Sequence, residues 1–178
     1  PVIRQAHNRA DACMPDGMPR TWIGWVLGHK SLARVYGPDL MLMLMELSAA
    51  RGFTSFVDGG AEGVADVLSR RLGERFPGLR VVGTICPPFR PLQPGEKEGV
   101  ISAINVVEPD LLWVGLSTPK QELFMAELQN RLKAKVMLGV GAAFDFHTGR
   151  VRQAPRWMMR TGLEWLFRLC MEPRRLAP

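Results

Sequence analysis

At 178 residues, 47% hydrophobic and 22% charged, the chain is long enough for one domain with a sizeable core and too short for two full ones. Its longest apolar run, Leu40 to Met45, falls far short of the roughly 18 to 20 residues that cross a bilayer, and Arg4, Asn8, Arg9 and Asp11 interrupt any secretory h-region, so neither a membrane-spanning protein nor a signal peptide is expected. The formal charge of +6 is concentrated: from Arg150 onward seven arginines face two glutamates, a cationic end that seeks phosphate on nucleic acid, anionic lipid or a small substrate.

Cys13, Cys86 and Cys170 are odd in number and far apart, which argues for reduced thiols in a cytoplasmic compartment. His7, His29 and His147 are equally scattered, and solvated or core histidines are favoured over a metal site. Pro1 to Arg9 reads as helix or loop. A short apolar segment, Ala10 to Met14, then reaches the turn Pro15-Asp16-Gly17. A carboxylate in such a turn can sit at a strand end, where open α/β sheets place binding residues. Alone, the pattern favours Asp16 as the cap of a helix over Pro19 to Leu27.

Gly37-Pro38-Asp39 opens a helix through Ala50, with Pro in the first turn, methionines as core filler and Gly52 as its stop. Phe53 to Val57 reads as a strand, followed by the glycine-rich turn Asp58 to Gly63 and a helix to about Glu74. Strand, glycine turn and helix can present backbone N–H groups to an anion; the other reading is a tight turn that simply needs its glycines. A strand over Leu79 to Ile85, a stiff Pro87 to Pro91 loop and a helix over Glu96 to Val106 follow. The strand LLWVGL ends at Leu116, and Thr118-Pro119-Lys120-Gln121 predicts a capping box opening a helix to about Leu132. KVMLGV, from Lys135 to Val140, is a further strand.

Strands and helices thus alternate with short connections, and near-continuous apolar strands suit a parallel sheet covered on both faces. The fold class is α/β: a Rossmann-like, mostly parallel sheet with helices on both faces, plus a C-terminal amphipathic helical appendage. Loops at one sheet edge offer Asp16, Asp58, Asp145, Thr118, Lys120 and Gln121, which suits a polar ligand with phosphates and hydroxyls. Plotted as one helix from Arg156, the last segment aligns Arg156, Arg160, Glu164 and Arg168 on one stripe, with a broad apolar face opposite. That pattern suits an ordinary docked surface helix, or a helix lying in a membrane interface.

PDGM at Pro15 to Met18, RVYGPDL at Arg34 to Leu40, GGAEGVAD at Gly59 to Asp66, PGLRVVGTICPPF at Pro77 to Phe89, PDLLWVGLSTPKQE at Pro109 to Glu122, GVGAAFDFHTG at Gly139 to Gly149 and APRWMMRTGLEWLFRLCMEPRRL at Ala154 to Leu176 run through nearly the whole chain. In that order they resemble the WecG/TagA/CpsF glycosyltransferases of bacterial cell-surface polymer synthesis. The resemblance implies an inverting hexosyltransferase with no cofactor and no metal. Its substrates would be a UDP-activated amino sugar of the N-acetylmannosamine type and a polyprenyl-diphosphate-linked N-acetylglucosamine acceptor. It would work as a peripheral protein on the inner face of the plasma membrane.

By the same resemblance Asp16 is the general base and Arg34 an active-site arginine. Gly59, Gly60, Thr118, Lys120, Gln121 and Asp145 would bind substrate. Arg168, Arg174 and Arg175 would stabilise the departing diphosphate. The implied organisation is a core over residues 1–153 that lacks a first strand, and a basic appendage over 154–178, itself cut short; Ser117 and Gln153 depart from the family pattern. Donor sugar and polymer stay open, and a homo-oligomer is compatible with the sequence. A non-catalytic nucleotide-binding module with a membrane-binding basic tail is the other reading. Nucleic acid is not an expected partner, because no recognition-helix or base-stacking pattern accompanies the basic pI of about 9.8.

Overall fold

The structure, a computed structural model, describes residues 2–88 and 90–171. The chain forms two compact units: one from residues 1–12 and 37–151, the other from residues 13–36 and 152–178.

The first unit holds helix α1 (Val2–Arg9) and then, beyond the segment that leaves for the second unit, α3 (Gly37–Arg51), β1 (Thr54–Gly59), α4 (Val64–Arg75) and β2 (Arg80–Ile85). It continues with α5 (Pro94–Val107), β3 (Leu111–Gly115), α6 (Lys120–Leu128), β4 (Val136–Gly139) and α7 (Ala143–His147). The four strands are parallel in the order β2-β1-β3-β4. After β2 the chain crosses back to the far side of β1, so the order reverses between β1 and β3. The carboxyl ends of those two strands form the topological switch point, where sheets of this kind open a crevice for ligands. This is the α/β sheet that the alternating pattern predicts.

Pleating divides the core. Val57 and Trp113 face one side, packed with Met41 and Met45 of α3, Leu68 of α4 and Phe144 of α7. Their neighbours Phe56, Leu112 and Val114 face the other side, with Val100, Ile101 and Ile104 of α5. Only part of α3 is core: Met41 and Met45, one helical turn apart, are fully buried, whereas Met43 faces outward. A 3.6-residue period cannot bury every second methionine. The central strands β1 and β3 are buried, and the edge strand β4 is buried only in part, despite its apolar sequence.

The second unit contains α2 (Met18–Val26), α8 (Arg156–Arg160) and α9 (Glu164–Met171). Residues 10–14 form no strand. The single last helix expected from Arg156 is two, because Gly162, at φ +72°, closes the first and turns the chain. A glycine there adopts a left-handed conformation at little cost. The stripe from Arg156 to Arg168 is therefore broken between Arg160 and Glu164.

Candidate active site

The polar residues singled out from the sequence fall into two groups, one in each unit. In the second unit the chain folds so that Arg34 becomes a hub. Its Nε donates to the backbone carbonyl of Asp16, Nη1 donates to the Met159 carbonyl at 3.0 Å, and Nη2 donates to Glu164 Oε2 at 2.7 Å. The same Nη2 lies 3.8 Å from the Asp16 carboxylate. The other oxygen of Glu164 accepts from Arg168 Nη2 at 3.0 Å. One carboxylate therefore holds two arginines, Arg34 and Arg168, that are 134 positions apart in sequence.

Packing supports this arrangement. The Arg34 guanidinium lies over the Tyr36 ring, 4.6 Å from its centroid, a cation–π contact. Gln153 Nε2 donates to the Tyr36 hydroxyl at 3.3 Å. Burial, reinforced by the nearby Glu164 charge, pushes the Tyr36 hydroxyl up to about 12, so it stays protonated at neutral pH. Arg34 and Glu164 are mostly covered, whereas the Asp16 side chain is 63% exposed, so the carboxylate is open to a reactant while its backbone is fixed. The expectation that Asp16 caps a helix is not met. Gly17 takes the N-cap position of α2, with no side-chain cap, and Asp16 lies one residue too early for the role.

In the first unit, Gly59 ends β1 at φ +125° and presses against β3: a Cβ there would come 2.7 Å from the Gly115 backbone. The Gly60 N–H donates to the Gly115 carbonyl at 3.1 Å, which commits that group to closing the turn. Phe144 lies against Gly115 so closely that a Cβ on the glycine would meet its ring at 2.4 Å. The glycines at the switch point thus permit a close approach of two strands and a ring.

Gln121 clamps the neighbouring edge. Its Oε1 accepts the Gly141 N–H at 3.0 Å and its Nε2 donates to Glu122 at 3.2 Å. The predicted capping box does not form, because Pro119 occupies the N-cap position of α6 and the Thr118 hydroxyl donates to Glu122 instead. Lys120 begins that helix. Asp145 sits in α7, with Arg150 Nε at 3.8 Å from its carboxylate. Arg174 and Arg175 lie outside the described residues.

Asp58 stands apart from these. It is fully buried next to the end of β1, opposite Ile85 and Val114, and neither carboxylate oxygen has a hydrogen-bond partner among the described residues. Burial raises its carboxyl to about 7. Among the described residues, no three His, Cys, Asp or Glu side chains gather as a metal site would require.

The model of the glycosyl transferase WecG/TagA/CpsF family matches residues 1–178. The chain belongs to this family. It is similar to the N-acetylglucosaminyldiphosphoundecaprenol N-acetyl-beta-D-mannosaminyltransferase of Bacillus spizizenii strain W23, at 28% identity over 94% of this chain and 63% of that protein. It is also similar to the protein of the same name from Bacillus subtilis strain 168, at 25% identity over 91% of this chain and 61% of that one. The family chain described here therefore spans less than two thirds of the length of these relatives.

Within this member of the WecG/TagA/CpsF family, Asp16, Arg34 and Arg168 are all named by the one resemblance, and the structure brings the three to one cluster. The sequence reading placed Glu164 only on a helical stripe and gave Tyr36 no role, and both hold that cluster together. The sequence shows Glu164 four residues before Arg168, a helical spacing, but nothing local points to Arg34.

Proposed function

We propose that this protein is an inverting hexosyltransferase. In this reading it moves an N-acetylmannosamine-type sugar from UDP to an undecaprenyl-diphosphate-linked N-acetylglucosamine, for a bacterial cell-surface polymer, on the cytoplasmic face of the membrane. The observation that carries the reading is the cluster in which an exposed Asp16 carboxylate lies beside the guanidinium of Arg34, with Glu164 joining Arg34 to Arg168. The family match and the printed names of the two relatives support the choice of reaction.

The chemistry follows from what each group can do. Asp16 accepts the proton of the acceptor hydroxyl as that oxygen attacks the anomeric carbon. The bond to UDP breaks on the opposite face, which inverts the configuration. The leaving diphosphate gains negative charge, and guanidinium groups with fixed orientation stabilise it better than mobile water does. Arg34 and Arg168 are the described residues for that role, and Arg174 and Arg175 are proposed to join them. Gln121, Asp145, Thr118, Lys120, Gly59 and Gly60 are proposed to line the donor site, and no cofactor or metal is required.

The test is a donor screen on the full-length protein with a short-chain lipid-diphosphate N-acetylglucosamine acceptor, read by UDP release. UDP-N-acetylmannosamine is expected to turn over. Asp16→Ala is expected to lower kcat by about 100-fold or more while leaving the circular dichroism spectrum unchanged, as loss of a general base does. Undiminished turnover in that variant removes Asp16 from the role. UDP binding without transfer from any donor favours a nucleotide-binding module instead.

A further inference from the structure

The two units differ sharply in charge. Nine of the 23 lysines and arginines and three of the 17 acidic residues belong to the second unit, which leaves the first with 14 of each. The whole net charge of +6 therefore resides in less than a third of the chain. Tryptophan follows the same division. Trp113 is buried in the sheet of the first unit, whereas Trp22, Trp25, Trp157 and Trp165 all lie in the second and are 41–61% exposed.

Helix α2 adds the third feature. Its buried face consists of Thr21 and Gly24, and Gly24 packs so tightly that a Cβ would meet Leu32 at 2.4 Å. On the opposite face, at i, i+3 and i+4 spacing, Ile23 is 60%, Val26 88% and Leu27 70% exposed, the last just beyond the helix end. A surface helix ordinarily turns its polar face outward. This one shows Ile23, Val26 and Leu27 to solvent with the exposed Arg20 beside them, and it contains no acidic residue.

We infer that α2 is the apolar insert of a bilayer-docking surface on the second unit, with Ile23, Val26 and Leu27 entering the acyl boundary of an anionic membrane. The occupant is a lipid surface, because excess positive charge, half-exposed tryptophans and an outward apolar helix face coincide in one unit, and each suits a different depth of the interface. A second protein copy of the same kind would bring +6 against +6, which opposes a self-interface. The inference goes beyond the sugar-transfer reading, which names no element that meets the membrane, and it does not depend on which donor is used.

The two contributions separate by salt. Attraction of arginines to anionic lipid fades once the Debye length shrinks to a few ångströms, whereas apolar insertion persists. The purified protein is sedimented with phosphatidylcholine vesicles and with phosphatidylcholine–phosphatidylglycerol vesicles, at about 0.1 M and about 0.5 M salt. Unaltered protein is expected to bind the anionic vesicles at both salt concentrations. Ile23→Ser, Val26→Ser and Leu27→Ser together are expected to lower partitioning at least about tenfold at both. Arg156→Gln with Arg160→Gln is expected to weaken only the low-salt binding.

Val26→Ser alone, at the most exposed position, moves in the same direction and guards against a triple variant that misfolds. The inference is overturned if the serine variants sediment like the unaltered protein at high salt, or if the unaltered protein binds neither vesicle. It is overturned too if those variants dissolve an oligomer without changing vesicle binding, because a second copy then covers α2. Vesicle binding without UDP release sinks the transfer reading and leaves the docking surface standing.

Discussion

Arg34 has five N–H groups and the second unit turns most of them to account. Carbonyl oxygens of Asp16 and Met159, the Glu164 carboxylate and the Tyr36 ring face fix one guanidinium in one orientation. A guanidinium held this way keeps its positive charge in one place, which a mobile lysine does not. Glu164 is the residue whose removal tests the point, because each of its oxygens serves a different arginine. Glu164→Gln replaces one acceptor by an N–H donor, which opposes whichever arginine it meets. With hydrogen bonds to charged groups worth about 1.5–3 kcal/mol, kcat for UDP release is expected to fall roughly tenfold to 100-fold. Glu164→Asp, which keeps the charge, is expected to recover part of that loss. Equal activity in the glutamine variant would show that the arginines need no such hold.

Gly162 decides the shape of the C-terminal elements. At φ +72° it separates α8 from α9, and a Cβ there would come 2.6 Å from the Trp22 ring. Gly162→Ala combines left-handed strain of about 1 kcal/mol with an overpacking cost of about 1–3 kcal/mol. Because four of the five tryptophans lie in the second unit, thermal unfolding followed by tryptophan fluorescence is expected to shift downward by several degrees. An unchanged transition would mean that α8 and α9 tolerate being one helix. This break was not legible in the sequence. Arg156 to Leu169 fits a single amphipathic helix by period alone, and a lone glycine inside such a pattern costs only about 1 kcal/mol.

The strands and most helices of the first unit were legible to within a few residues, since apolar runs bounded by glycine and proline recur from Phe53 to Val140. The misses lie where tertiary contacts overrule local preference. Asp16 and Thr118 both have good cap chemistry, yet Gly17 and Pro119 hold the N-cap positions. The Arg34–Glu164 pair could not be foreseen at all, because its partners are 130 positions apart.

At the scale of the whole molecule, a buried and a half-buried group in the first unit make stability respond to pH in opposite directions. Asp58 has no hydrogen-bond partner among the described residues, and burial raises its carboxyl from 3.8 to about 7. Its protonated form is the one the fold prefers. That contribution is complete below about pH 4, where the unfolded carboxyl is also protonated, and it is lost as the pH rises through about 7. His147 acts in the opposite direction. Burial lowers its pKa, and its Nε2 lies 3.0 Å from the Pro38 carbonyl. Its contribution is present above the ordinary value of 6.5 and is lost as the pH falls below it.

The alkaline limb belongs to Asp58, so Asp58→Asn isolates it. At about 1.4 kcal/mol for each pH unit, keeping the carboxylate ionised in the fold costs up to about 4 kcal/mol above pH 7, relative to the neutral acid. An amide of the same shape carries no charge at any pH. In urea unfolding followed by circular dichroism, the variant is expected to match or slightly trail the parent near pH 5 and to exceed it by a few kcal/mol near pH 9. The crossing of the two curves is the diagnostic outcome, because a change in packing alone would displace one curve from the other by a constant amount. A constant offset would mean that a donor satisfies Asp58 in solution and that its carboxylate is not an isolated buried charge.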